Sequence, residues 1–427
     1  VRTSPADDER IWADIGGNFP DGAERNSEMA KGGGIAAVVI VAGAAVAGGI
    51  YYEKNYAVPT NVAYVTEENG KIDQIDLATM KITRSIQPPD LAPRGLAVSY
   101  DGKYLITAAK DTADIAIFST PQLKLIARPH TGDNPEFIKL NPAGDRVFST
   151  FEPGSSGGPP PEVVAMAPAA KSGRGKGKDD DKSAKAGRGK DADDKSAKAG
   201  AAPAAAGDDD DDDANEPPAQ IASFNVGTWT PGPVSVAGQE TEGVEFSPDG
   251  KYMIVCNEAQ NNIGVYDAAT GQLIRNIDMK QYGLRPRDIK VSPLHNEYTV
   301  TMEASGTLAK LDMDFNVVKT VQTAAKPYGE SFDRAGKRVF VAAAMARKLQ
   351  VFDADTLNQI AEVPVGQRCW HFTFTPDDSK ILMACGRSNN IVIVDPNAYK
   401  QIGTIEGLNL PWGIVTYPRA FGSLGLP

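Results

Sequence analysis

Seven residues at equivalent places in the chain bring together the side chains best suited to chemistry: Arg94, Glu136, Glu242, Arg287, Tyr328, Trp370 and Trp412. Each stands five residues before a turn anchor, at Ser99, Asn141, Ser247, Ser292, Asp333, Thr375 and Tyr417 respectively. Two guanidinium groups, two carboxyls and three aromatic rings can pair with charged groups, exchange protons or stack on a planar ligand. Asp288 and His371 directly follow two of the seven and are expected as a secondary rim. With Glu136 and Glu242 they offer oxygen and nitrogen donors for a divalent cation. Side chains alternate along a strand, so Glu242 and Asp288, at adjacent registers, should face different sides. His371 is expected to be a hydrogen-bonded rim histidine, and no metal ligand or catalytic residue is assigned. The competing use of the same residues is mutual neutralisation of Arg and Glu around a solvated channel, with the aromatics plugging its narrow end.

The elements that must position these residues follow from the anchors. Successive anchors are 42, 106, 45, 41, 42 and 42 residues apart, and removing a 66-residue low-complexity insert (154–219) from the 106-residue interval leaves 40. A period of 40–45 residues is that of propeller blades. Each repeat reads as four short strands: an apolar inner strand ending at the anchor, a second after the turn, then a hairpin such as 262–266 and 272–277 around the turn 267–271. The repeats begin at 61–66 in a second strand and end at 411–418 in an inner strand with nothing after it, so the last strand should complete the first blade. Such closure leaves no open array edge. The fold expected is all-β, a seven-bladed propeller of four-stranded blades over 57–153 and 220–420, in which the seven residues form one ring at the channel mouth. Pro93, Pro135, Pro286, Pro327 and Pro411 precede ring residues and fix the backbone there.

Composition narrows the function. The chain has 44 basic and 55 acidic residues, a formal charge of -11, 42 Gly and 30 Pro. That balance argues against a protein that tracks nucleic-acid phosphates. There is no Cys-x-x-Cys-His haem motif, no Gly-x-Ser-x-Gly nucleophile elbow and no phosphate loop. The insert is nearly devoid of large apolar side chains, repeats DDKSAKAG at 180–187 and 193–200, runs through Asp208–Asp213, and is expected to be disordered. Residues 1–31 form a polar tail, and 32–52 are 21 residues without a formal charge, enough to cross a bilayer core. Met29, Ala30 and Lys31 ahead of that run have the form of an export signal, so the segment is expected to be either a signal cleaved near Ala47 or an uncleaved anchor. Cys369 and Cys385 should lie nearly opposite across a strand pair. A bridge is open to them in an oxidising compartment, with apolar packing the favoured role, and Cys256 should be unpaired.

The phrases at 64–69, 93–109 and 242–274 resemble YVTN-type β-propeller repeats. The stretch 365–395 with 411–418 resembles the exported seven-bladed propeller associated with PQQ-dependent alcohol catabolism; the likeness covers about 61–153 and 220–418. It implies a periplasmic accessory of quinoprotein dehydrogenases with no established reaction. The expectation is a non-catalytic interaction subunit whose partner is a periplasmic dehydrogenase, a cytochrome or a membrane oxidase subunit, with the membrane met through 32–52. No cofactor is assigned. PQQ, held by Arg94 and Arg287 and stacked on Trp370 and Trp412, and a divalent cation are the alternatives, and Glu136 and Glu242 count against the anionic quinone. The rival function is a channel-mouth enzyme, either a metal-assisted hydrolase of lactonase type or a quinone-binding oxidoreductase.

Overall fold

Four of the seven inner strands open on a proline and are buried along almost their whole length, as in Pro93–Val98, Pro286–Val291 and Pro327–Phe332. The following strand is almost wholly buried, whereas the outermost is exposed on alternate residues, as in Lys81–Ile86. Burial on both faces inside and one face outside is the pattern of sheets stacked radially around an axis. The computed structural model describes residues 57–152 and 217–426. Among them are seven antiparallel four-stranded sheets, each formed from consecutive strands except the first. In that sheet Pro411–Tyr417 pairs with Val62–Glu67, with Val62 opposite Tyr417 and Val65 opposite Ile414, so the two ends of the ring are hydrogen-bonded to each other. Numbered from this closing sheet, blades 1 to 7 contribute Trp412, Arg94, Glu136, Glu242, Arg287, Tyr328 and Trp370.

Neighbouring blades interlock at their turns. Gly102 and Gly144 both have φ of 72°, a conformation costly for other residues, and a Cβ on either would run into a ring on the adjacent blade: Tyr417 over Gly102 and Tyr100 over Gly144. The glycine of the recurring turn thus meets a backbone need and a packing need at one position. In blade 3, Phe151 lies opposite Gln220, so the insert's flanks leave and return side by side within one hairpin. The insert itself, the polar tail and the apolar run 32–52 lie outside the described residues. Among the described residues no helix is long and apolar enough to cross a membrane.

Two expectations change. The last inner strand is not the end of the ordered chain: Ala420–Gly425 are buried inside the channel. The Phe374 amide donates to the Phe421 carbonyl (2.8 Å), the Ser423 amide to the Phe372 carbonyl (3.0 Å), and Lys139 Nζ reaches the Gly425 carbonyl (3.4 Å). Leu424 packs in the central apolar cluster with Leu96 and Trp412. The physical reason is that seven inner strands leave a channel lined by Leu96, Phe372 and other apolar groups, and a short segment of small and apolar residues fills it better than water does. The channel is therefore closed from the turn side and blind at the mouth. Second, Cys369 and Cys385, register partners for which apolar packing was favoured, are joined with an S–S distance of 1.97 Å, and Cys256 is a buried free thiol. Thiol titration of the unfolded protein should count one thiol before reduction and three after; three before reduction would show that no bridge forms.

Candidate functional site

The ring position is where the inner strands are irregular. In six of the seven blades the pairing of inner and second strand shifts at or beside the ring residue, for example between Pro286 and Asp288 and between Cys369 and His371. A bulge of this kind inserts an unpaired residue and re-aims its side chain. The bulge turns the ring residue to the mouth and the residue after it inward. At that next position Gly95, Gly243 and Gly329 leave no room for a Cβ against the neighbouring inner strand, while Phe137, Asp288 and His371 project into the channel.

The charged half of the mouth holds two clusters of ion pairs. Arg94 pairs with Glu136 and reaches Glu68 at 3.8 Å. Arg287 lies 2.9 Å from Glu242, 2.8 Å from Glu258 and 3.9 Å from Glu303, and its guanidinium stacks 3.8 Å over the Tyr328 ring. Arg285 bonds Glu258 at 2.7 Å and Glu240 at 2.8 Å. Between the two arginine clusters the Glu136 and Glu242 carboxyls act on each other electrostatically. Burial pushes both carboxyls up. For Glu136 the Arg94 and Arg287 charges outweigh that and hold it below the usual range. For Glu242 burial, with Glu136, Glu258 and Glu152 close by, outweighs Arg287 and carries it well above. Glu258, fully buried, is pushed up to about 7 despite Arg287 and Arg285.

The aromatic half is organised around His371. Its ring centroid is 4.4 Å from Trp412, 5.4 Å from Tyr328 and 6.3 Å from Phe137 across the channel. Its Nδ1 is 3.0 Å from Ser423 Oγ on the C-terminal segment, and its Nε2 has no hydrogen-bond partner. Burial, with Arg287 and Lys290 nearby, lowers its pKa far enough to keep it neutral. Trp370 rests against Gly386 of its own blade, where any Cβ would strike the indole.

Asp288 and His371 are not rim residues. Each is 2 % exposed, because the bulge turns the residue after the ring position inward rather than outward. Asp288 pairs with Lys290 (2.8 Å) and accepts the Glu330 amide (3.0 Å), apart from the Glu242 network. Lys139 and Glu245 form a second buried pair at 3.1 Å. Among the described residues no three or more Asp, Glu, His or Cys come together as a metal-binding group.

Sequence reasoning missed Glu258 and Glu303, which complete the coordination of Arg287. Both stand 11 residues after their turn anchors, as do Lys110, Glu152, Ala344 and Gly386, so the same period that located the first ring marks a second one around it. Ser423 carried no such signal, lying beyond the last repeat.

One buried position of the inner strands breaks its own pattern. Glu330 occupies the place of Leu96, Ile138, Val244, Ile289, Phe372 and Ile414 in the other blades. It is fully buried, and Thr299 faces it without either carboxyl oxygen completing a hydrogen bond. Burial and the Asp288 charge push its pKa well up. A carboxyl whose folded pKa is raised costs stability as pH rises from its unfolded value toward the folded one. Glu330→Leu should therefore raise stability at pH 8 by about 1–3 kcal/mol, with a smaller gain at pH 5. Denaturant titrations at the two pH values test this, and a loss of stability at pH 8 would mean that the carboxyl is needed where it is.

Seven four-stranded blades with a blind, charged mouth place the protein among seven-bladed β-propellers. The family model described as Lactonase, 7-bladed beta-propeller, matches residues 223–331. No curated protein matches the chain. Among solved structures, a functionally unknown protein from Desulfotomaculum acetoxidans superposes with TM-score 0.62 at 13% identity, covering 83% of this chain and 98% of its own. A proposed 6-phosphogluconolactonase from Bacteroides uniformis gives 0.59 at 16% identity, covering 83% and 99%. The dihydro-heme d1 dehydrogenase NirN gives 0.53 at 12% identity, covering 84% and 75%. At these identities the likeness is one of fold.

Proposed function

We propose that the protein works by binding, as an accessory subunit that docks a periplasmic quinoprotein dehydrogenase, or the cytochrome or membrane subunit that serves it, on the mouth face of the propeller. The observation that carries this reading is that all four charged ring residues are engaged with one another or with the second ring. Charges so paired make a rigid, preorganised surface and leave none of the four to attack or activate a substrate. The blind channel favours the same reading, since nothing can pass through it. The resemblance of 365–395 and 411–418 to the PQQ-associated propeller names the class of partner. Purification from the native membrane tests it. Co-purification of a dehydrogenase, without stoichiometric metal or a quinone absorption band on the propeller, is the expected result; a monodisperse propeller carrying metal or quinone would overturn it.

A second reading has its own support. The lactonase family match at 223–331 contains Glu242, Glu258 and Arg287, and a carboxyl with a pKa of about 7 beside a guanidinium is equipped for general acid–base work. A channel-mouth hydrolase would open sugar lactones in a pH-stat assay and lose that activity in Glu258→Gln. No turnover by the native protein would remove this reading.

A further inference from the structure

The position just before each turn anchor carries an apolar side chain in six blades, Val98, Leu140, Phe246, Val291, Phe332 and Phe374, and Thr416 in the closing sheet. The strand register confirms the equivalence, since Thr416 lies opposite Ala63 as Val98 lies opposite Leu105. Thr416 is 1 % exposed and its hydroxyl has no hydrogen-bond partner, although a valine would fill the same space without that cost. Thr416 lines a small pocket at the turn side of the channel, together with Ala97 and Val98 of the next blade, Val415, and Arg419 and Leu424 of the C-terminal segment. The pocket has room for about one water-sized body. Arg419 brings a second donor to it. The guanidinium is held 4.0 Å over the Tyr100 ring, its buried Nη1 has no hydrogen-bond partner, and among the described residues no carboxylate pairs with it. Its charge is felt close by: Lys139 reaches Gly425, another lining residue, at 3.4 Å, and burial, with the Lys290 and Arg419 charges, lowers Lys139 to about 8 against the pull of Glu245.

We propose that this pocket binds one monoatomic halide ion, chloride or bromide, between the Thr416 hydroxyl and the Arg419 guanidinium. A guanidinium is a donor only and keeps its charge at every physiological pH, and a threonine hydroxyl turns its proton toward whatever accepts it. The occupant must therefore accept from both, and beside a cation with no carboxylate partner an anion is favoured over a neutral water. The size of the space excludes sulfate, phosphate and organic carboxylates. The apolar walls, Ala97, Val98, Val415 and Leu424, suit a weakly hydrated halide better than fluoride. Three parts of the chain meet at the ion: the strand that closes the ring, the inner strand of the next blade and the segment that floors the channel. Seating of that floor, with its Ser423 contact to His371, is thereby tied to chloride. The site stands apart from the mouth and from either reading of its function.

Two measurements on the full chain test this: anomalous diffraction from crystals soaked in sodium bromide, and thermal melts in sodium chloride against sodium gluconate, whose anion is too large for the space, at equal ionic strength. The expected results are a bromide peak within hydrogen-bond distance of Thr416 Oγ1 and Arg419 Nη1, and a Tm higher in chloride by about 2–4 °C. Thr416→Val, which installs the residue type of the other blades, should keep the fold and lose both the peak and the chloride-dependent part of Tm. Arg419→Gln should do the same, and if it does not fold, Thr416→Val decides. Bromide confined to other arginines, or water alone in the pocket, would overturn the proposal. So would a chloride effect on Tm that survives in Thr416→Val, which would place the ion elsewhere. A bromide peak in the pocket with no chloride effect on Tm would mark an adventitious ion only and overturn it as well.

Discussion

Arg287→Met should destabilise the protein by about 3–5 kcal/mol at pH 7.5, and by much less at pH 5.5. The guanidinium is almost wholly removed from water and faces three carboxyls while stacking on Tyr328, so its loss strands negative charge in the interior. The pH dependence has a definite sign. Burial raises Glu258 to about 7 and Glu242 well above its ordinary value, so between about pH 4.5 and those values the folded state binds more protons than the unfolded one. Stability contributed by these groups is present at low pH and declines as pH climbs. Removing Arg287 raises both carboxyls further and steepens the decline above neutrality. At pH 5.5, below the Glu258 value, that carboxyl is protonated with or without the arginine, and what remains there is lost packing and hydrogen bonding. Urea denaturation of both proteins at the two pH values is the measurement, and an equal loss at both would assign the role of Arg287 to its stacking on Tyr328.

How much of this was legible beforehand depends on whether a feature repeats. The turn anchors share one period, and that period yields the blade count, the closure of Pro411–Tyr417 onto the first blade and the membership of the Arg-Glu-Glu-Arg arc. It would also have yielded Glu258 and Glu303, which occupy a repeating position, had the second ring been sought. The inward turn of Asp288 and His371 was hidden, because strict alternation is a property of regular strands and the bulge suspends it at the ring residue. The disulfide lay between two readings that the pairing register alone does not separate. The C-terminal segment was the least legible element. Its residues, Arg419 to Leu426, match no blade strand and alternate in no pattern; only the geometry of a finished channel gives them a place.

That segment carries the second large effect. A chain ending at Pro418 should lose roughly 3–6 kcal/mol, from the burial of Phe421 and Leu424 at about 1.5–3 kcal/mol each, with a fall in Tm on the order of 10 °C. The blade sheets do not need the segment for their own hydrogen bonds, since Pro411–Tyr417 already closes the ring. The truncated protein should therefore remain a propeller by circular dichroism, with a channel opened from the turn side. Water would then reach His371, Lys139 and Glu245, which the segment now covers. Burial is the leading cause of the low His371 pKa and of the Lys139 value of about 8, so both should move back toward their ordinary ranges. The His371 imidazole, followed by NMR across pH 4–8, is the reporter. If it stays neutral in the truncated chain, the ring residues above and the neighbouring cations, rather than the C-terminal floor, are what keep the centre of the channel dry.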